Sequence, residues 1–316
     1  MTAVGGGSTF PEPRIVVVGS CNVDLTSYLP YVPGPGETVI GSSFSIGFGG
    51  KGANQALMAR RLGAQVVMAG CVGRDSFGEL IVANLADNGI DTTLLERADA
   101  VGTGVAVIWV EPDGTNRIAY SPGANDVVSE SQAAKAVTAT SPAVVLAQFE
   151  IPQAATRTAF AAARRVGAIT VLNPAPAAAT DRELRALTDW LVPNEVELAQ
   201  LTSITSTADE ALLAAAESIS AGRLLVTQGA AGATLVDHNS VLRLPAPSVK
   251  VVDTTGAGDV FIGAFGYGLA RGMSPAAAAE LGVRCASDSV QRPGAQAAIP
   301  TTEHAAELAR TSRFRP

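Results

Sequence analysis

Histidine is nearly missing from this chain of 316 residues, with His238 in an H-N-S turn and His304 near the tail as its two examples. A histidine-based catalytic triad or metal cluster is therefore not encoded, and both residues read as ordinary surface positions. Cysteine is scarce as well. Cys21, Cys71 and Cys285 are odd in number, far apart and without a C-x-x-C pair, which argues against a disulfide framework or a zinc site and for a reducing compartment, the cytoplasm. No apolar run reaches the ~18 residues that cross a bilayer, because Gly, Pro or a charge interrupts each one. Positive charge is in deficit, with 22 Lys and Arg against 29 Asp and Glu and a formal net charge of −7. Phosphate backbones and anionic membrane surfaces are repelled by such a chain, so neither nucleic acid nor membrane is an expected partner. Any anion it handles has to be held locally.

Hydrophobic residues are plentiful, at 47% against 16% charged, enough for a buried sheet under Ala-rich helices. The length fits one large domain with an appendage. Residues 1–13, with GGGS and two prolines, carry no periodicity and read as a disordered leader; residues 14–316 form the folded unit. Short β-branched runs at 15–19, 66–70, 144–147, 169–172 and 224–227 alternate with helical patterns at 53–62, 77–88, 153–166, 183–188 and 209–220. That alternation predicts an α/β fold, a three-layer, mostly parallel sheet with helices on both faces. Two stretches break it, 22–48 with Pro30, Pro33 and Pro35, and 102–121 with the hairpin signal EPDG; they predict a small antiparallel β lid. Residues 232–252 read as a short β meander, and 257–272 and 274–290 as two closing helices.

The segment Asp253-Thr254-Thr255-Gly256-Ala257-Gly258-Asp259 stands between a strand-like VKVV and a helical pattern. Small residues at a helix start leave backbone N–H groups open to an anion, and glycine lets a phosphate come close. Asp259, in the first turn, either complements the helix dipole, worth ~0.3–1 kcal/mol, or accepts a proton from an alcohol late in a loose phosphoryl-transfer transition state. Gly47-Phe48-Gly49-Gly50-Lys51-Gly52-Ala53-Asn54 matches G-x-G-x-x-G in form. It stands about thirty residues too late for a dinucleotide fold, and Gly52 replaces the hydroxyl of a Walker A motif. Lys51 and Asn54 at its helix mouth are instead hydroxyl-binding groups. Asn22 and Asp24, just past the first strand, bind vicinal hydroxyls or form an Asx turn. Glu150, Asn194 and Glu197 also follow strand ends, though Asn194 to Glu197 equally suits the polar first turn of a helix.

GSCNVDL at 19–25, PGPGET at 33–38, GGKGANQA at 49–56, VGRDSFG at 72–78, GAN at 123–125, NPAPA at 173–177 and DTTGAGD at 253–259 together resemble the ribokinase family of sugar kinases (phosphofructokinase B type), in family order and across nearly the whole chain. The resemblance implies ATP-dependent phosphorylation of a primary sugar hydroxyl, the C5 hydroxyl of D-ribose, with deoxyribose, another sugar or adenosine as alternative acceptors. It implies Asp259 as the base and the N–H groups of Gly256, Ala257 and Gly258 as the anion hole. Asn22, Asp24, Gly50, Lys51, Asn54 and Glu150 would hold the sugar. Asn194, Thr227, Gln228, Gly229, Ala230, Ala231, Gly232 and Gly258 would hold ATP, and Glu197 a Mg²⁺ ion through water. A K⁺ ion would be held by Asp253, Thr255, Ser289, Arg292, Gly294 and Ala298, the last a position where relatives often carry Ser. A homodimer through the lid sheets is compatible with the sequence. A non-catalytic sugar or nucleotide sensor on the same fold, and an NAD-dependent oxidoreductase resting on the G-x-G-x-x-G alone, are the rival classes.

Overall fold

A computed structural model describes residues 12–219, 222–237 and 240–310. Most of the expected leader, and His238, lie outside the described residues. The strands in chain order are β1 (Arg14–Val18), β2 (Asn22–Tyr28), β3 (Ser43–Gly49), β4 (Gln65–Gly73), β5 (Leu95–Ala98), β6 (Gly104–Val110), β7 (Asn116–Ser121), β8 (Val144–Gln148), β9 (Ile169–Asn173), β10 (Trp190–Leu191), β11 (Arg223–Thr227), β12 (Ala233–Asp237) and β13 (Ser240–Leu244). The helices are α1 (Lys51–Arg61), α2 (Ser76–Asp87), α3 (Glu130–Thr140), α4 (Gln153–Val166), α5 (Arg182–Ala186), α6 (Glu195–Thr202), α7 (Asp209–Ile219), α8 (Ala257–Ala270), α9 (Pro275–Ser289) and α10 (Thr302–Arg310).

Nine strands form the main sheet in the order β13-β12-β11-β10-β9-β8-β1-β4-β5. All its pairings are parallel except those of β12, which makes an antiparallel edge. Period-two alternation divides the strand side chains between two cores. Ile15, Val17, Met68 and Leu146 pack under α1, α8 and α9, while Val16, Val18, Ala147 and Val226 pack under α3, α4 and α7. This is the three-layer α/β architecture that strands buried on both faces call for. Chain order reverses beside β1, whose neighbours are β4 and β8. The crevice beyond the carboxyl ends of β1 and β8 is thus the switch point where open α/β sheets bind ligands.

From the end of β1 the chain runs directly into β2 and the second sheet, ordered β3-β2-β6-β7. Its outer pairings are antiparallel, and the central β2·β6 pair is parallel. The meander expected over 232–252 stops at Leu244. Pro245 and Pro247 lack the N–H donors a further strand needs, and residues 245–252 run as an irregular segment. No helix among the described residues is long and apolar enough to cross a membrane.

The contact between α1 and α8 decides how the crevice is lined. Gly263 of α8 faces α1 so closely that an added Cβ would lie 2.5 Å from the Gln55 carbonyl oxygen and 2.8 Å from Met58 Cβ. Gly263→Ala is expected to destabilise the fold by about 1–3 kcal/mol, overriding the helix propensity that alanine gains. Urea denaturation checks it: the midpoint should fall with an unchanged slope, and an unchanged midpoint would contradict this account of the helix contact.

Candidate active site

Most helices here start on a side-chain cap. Asp75 accepts from the Gly78 N–H at 2.8 Å and Ser129 from the Gln132 N–H at 3.2 Å. The two helices that point at the crevice, α1 and α8, start instead on Gly50 and Gly256, with φ of +88° and +74° and no side-chain cap. Their first turns are used differently. In α1 the Lys51 N–H donates to Glu150 Oε2 (3.0 Å), the Gly52 N–H to Ser20 Oγ (3.3 Å) and the Ala53 N–H to the Ser20 carbonyl (2.9 Å). Ser20 Oγ in turn donates to Glu150 Oε2 at 2.5 Å. The positive end of α1 is thereby closed by protein groups. In α8 the Ala257 N–H turns back on the Thr254 carbonyl at 3.2 Å, and no side chain caps the Gly258 and Asp259 N–H groups. Of the two helix ends, α8 is the one left open to an anion.

Asp259 is buried at 5% exposure. Its carboxylate accepts from Asn54 Nδ2 at 3.0 Å and from Gln55 Nε2 at 3.2 Å. Lys51 is held charged, its pKa raised first by the Asp259 carboxylate and further by Glu150 and Glu197 against the opposing effect of burial. Burial pushes the Glu197 carboxyl up, the Asn194 N–H and Lys51 oppose that, and Asp259 adds to it. Asn194 and Glu197 form a capping box for α6: the Glu197 N–H reaches Asn194 Oδ1 and the Asn194 N–H reaches Glu197 Oε2, each at 2.8 Å. Both expectations for this pair therefore meet in one place, since the cap also carries Asn194 to the wall of the neighbouring cavity.

On the side of the small sheet, Asn22 Oδ1 accepts from Asn125 Nδ2 at 2.7 Å, and Asn125 Oδ1 accepts from the Cys21 N–H at 2.9 Å. Asp24 has its pKa raised to about 6 by burial and by the nearby Glu150. Gly49 lies against this carboxylate, and a Cβ there would stand 2.4 Å from it. Asn22, Asp24, Lys51, Asn54, Glu150 and Asp259 thus gather at one end of the crevice.

At the other end lies a cavity of about 550 Å³. Of the residues expected around a nucleotide, Asn194, Thr227, Gly229, Ala230, Gly232 and Gly258 line it. Gln228 and Ala231 do not: Gln228 Oε1 accepts from Thr234 Oγ1 at 2.5 Å, and Ala231 sits inside the turn that this brace closes. Sequence reasoning missed the apolar walls, among them Ala246, Pro247, Val249, Val251 and Phe261. The two prolines that end the sheet were the available signal. Gly258 borders the cavity, and a Cβ added there would meet no protein atom within 4 Å. Packing does not require glycine at 258, and without a side chain the backbone there stays open to the cavity.

The expected cation residues come together on the far side of the α8 start. Burial would raise the Asp253 carboxyl, but donors from the Thr255 hydroxyl (2.6 Å), the Gly294 N–H (2.8 Å) and the Thr255 N–H (2.9 Å) outweigh it and hold it below its usual range. Asp253 so ties 253–255 to the 292–298 loop. Two carbonyls of the set already accept hydrogen bonds, Ser289 from the Arg292 N–H and Ala298 from the Arg292 guanidinium at 2.8 Å. Arg292 can offer a cation only its own carbonyl, and the second lone pairs of Ser289 and Ala298 remain. The donor set, all oxygen and carrying a single carboxylate, fits a large monovalent ion. Among the described residues no three His, Cys, Asp or Glu side chains converge as a metal cluster.

A family model described as pfkB family carbohydrate kinase matches residues 12–302. The chain is 36% identical to a ribokinase from Haemophilus influenzae, over 93% of this chain and 97% of that protein. It is 35% identical to a deoxyribokinase from Salmonella typhi, over 92% and 96%. The structure of Arabidopsis thaliana ribokinase complexed with ribose and ATP superposes with a TM-score of 0.86, at 30% identity, covering 96% of this chain and all of that one.

Two glycines at the site separate packing from ligand space. At Gly50 a Cβ would lie 2.8 Å from backbone atoms of Ser20, Cys21 and Asn22, on a positive φ. Gly50→Ala is expected to cost about 2 kcal/mol or more. Gly258→Ala should leave stability unchanged or raise it by up to about 1 kcal/mol. Thermal unfolding of both variants decides, and equal losses would contradict the assignment.

Proposed function

The chain belongs to the pfkB family of carbohydrate kinases, and we propose that its crevice transfers the γ-phosphoryl group of ATP to the primary C5 hydroxyl of D-ribose, giving ribose 5-phosphate. The observation that carries this reading is Asp259. A buried carboxylate, aimed by Asn54 and Gln55, stands in the first turn of α8, the one of the two crevice-facing helix ends left open to an anion.

Ribose lies among Asn22, Asp24, Gly50, Lys51, Asn54 and Glu150, under the small sheet, which acts as a lid over the domain of residues 14–316. ATP lies in the cavity with its base against the apolar walls and its phosphates along Gly256, Ala257 and Gly258. The C5 oxygen attacks the γ-phosphorus, the bond to the bridging oxygen breaks, ADP leaves, and the hydroxyl proton passes to Asp259. A carboxylate is far too weak a base to ionise an alcohol beforehand. In a loose transition state it needs only to orient the hydroxyl and take the proton late. The N–H groups at the start of α8 and the Lys51 ammonium stabilise charge on the transferring group. A Mg²⁺ ion accompanying ATP would be held by Glu197 through water and would neutralise phosphate charge. A K⁺ ion at Asp253 and the carbonyls of Thr255, Ser289, Arg292, Gly294 and Ala298 would brace the anion-hole loop.

The 35% identity to a deoxyribokinase keeps 2-deoxyribose as the second acceptor to be tested. Phe44 and Ile46 of β3 are 60% and 51% exposed on the small sheet. We place a second copy of the chain against them, as a homodimer. The three cysteines are free and buried, which suits the cytoplasm.

The first test is ADP release from Mg·ATP with ribose, 2-deoxyribose, fructose or adenosine, in potassium or sodium at equal ionic strength. Ribose with potassium should be fastest, and Asp259→Asn should lose about 10²- to 10⁴-fold in turnover while still binding the sugar. Turnover at the wild-type rate in Asp259→Asn would sink the assignment. A second test uses pH. Asp24 titrates near 6, so its carboxylate, the form that accepts from sugar hydroxyls, is lost as pH falls through that value. The KM for the sugar should rise below about pH 6, and in Asp24→Asn that rise should vanish, leaving a high KM at every pH.

A further inference from the structure

Gln55 and Gln148 are both fully buried; Gln55 has entered so far only as a donor to Asp259, and Gln148 not at all. Gln148 ends β8, and its Nε2 donates to Gln55 Oε1 at 2.7 Å. Gln55 lies on α1, and its Nε2 donates to Asp259 Oδ1 at 3.2 Å. At the far end Gln148 Oε1 is buried without a partner. It fills the space beside Gly19, where a Cβ would stand 2.1 Å from it.

The chemistry of the chain fixes its direction. An ionised carboxylate only accepts, so Gln55 has to present its NH₂ to Asp259 and its carbonyl to Gln148. Gln148 then has to present its own NH₂, and its carbonyl is left facing the Gly19 backbone. Turning Gln148 over would bring two carbonyl oxygens together. A buried acceptor without a donor is destabilising, and here it is what a one-way row of amides leaves behind. Neither amide titrates, so the donor facing Asp259 stays a donor across the whole working pH range.

We propose that Gln148 and Gln55 are positioning residues for the proton acceptor: Gln148 locks the Gln55 amide, and the locked amide holds the Asp259 carboxylate with Oδ2 turned toward Asn54 and the acceptor hydroxyl. This rests on Asp259 being the proton acceptor. Besides the two amides, Lys51 of α1 and Glu197 of α6 act on that carboxylate electrostatically, and both stay intact in the variants below.

Gln55→Leu, Gln148→Leu and the double variant are compared by kcat, by KM for sugar and ATP, and by the pH dependence of kcat. Each single variant should lose about 10²-fold in kcat, as a misplaced reacting group does, with both KM values within about twofold. The acid limb of the kcat profile should move to higher pH, because the carboxylate has lost a donor. The double variant should lose little more than Gln55→Leu alone, because Gln148 acts only through Gln55. Additive losses, or a lowered melting temperature with an unmoved acid limb, would show that the glutamines merely fill the core. If either leucine variant fails to fold, Gln148→Glu carries the test: an ionised glutamate there forces the Gln55 carbonyl toward Asp259 and should depress kcat at pH 7, and a wild-type profile would overturn the proposal. Asp259→Asn, run alongside, separates the two claims. If it alone is inactive, the proton acceptor stands and the relay falls; if it is active, the acceptor itself is wrong.

Discussion

The crevice depends on one close approach, the start of α1 against the backbone that leaves β1. Gly50 and Gly52 allow it, since a Cβ on either would stand 2.7–2.8 Å from backbone atoms of residues 19–22. Glu150, arriving from the end of β8, closes it by accepting from both Ser20 and Lys51. Three elements that are distant in sequence are thereby pinned at one point. Lys51, Asn54 and Gln55 then fall on the side of α1 that meets α8, and Gly263 lets that meeting bring a side chain of α1 within hydrogen-bond distance of Asp259. Remove the approach and the carboxylates would remain, but on surfaces no longer facing one another.

A chain of net charge −7 binding a polyanion is an electrostatic difficulty that the site resolves locally. Three acidic groups, Asp259, Glu150 and Glu197, act on Lys51, whose charge they secure. On the proposed reading, backbone dipoles at the start of α8, which add no net charge and need no counterion, share the phosphate charge with the Lys51 ammonium. Local dipoles and one secured ammonium would let a site take a polyanion in a chain whose overall charge repels it.

The layered fold was legible because its strands are buried on both faces and appear as short apolar runs between helical patterns. Asn22, Asp24, Lys51, Asn54, Glu150 and Asp259 were legible as polar residues at strand ends and helix starts, and the structure does bring them together. α3 escaped because Ala and Thr give its faces little contrast, while β10, two residues long, showed only as the strand end ahead of Asn194. The segment 245–252 was taken for strand although Pro245 and Pro247 forbid it. Gln148 falls just past the apolar run 144–147 and Gln55 inside the motif GGKGANQA, and neither stands out there. Their importance lies in contacts across 93 and 204 positions, and no local pattern records a contact of that kind.

In the proposed reading the small sheet joins the rest of the molecule beside the end assigned to the sugar, whereas the cavity assigned to ATP is lined by α8, α9, the turn after β11 and the 245–252 segment. The small sheet would then carry part of acceptor recognition, through Asn22 and Asp24, and the α8 side the phosphate handling, with the starts of α1 and α8 between them. Such a division makes the scaffold modular: substitutions in β2, β3, β6 and β7 can alter which alcohol is presented while the machinery that delivers phosphate is inherited unchanged, so one fold can diversify its substrates without rebuilding its chemistry.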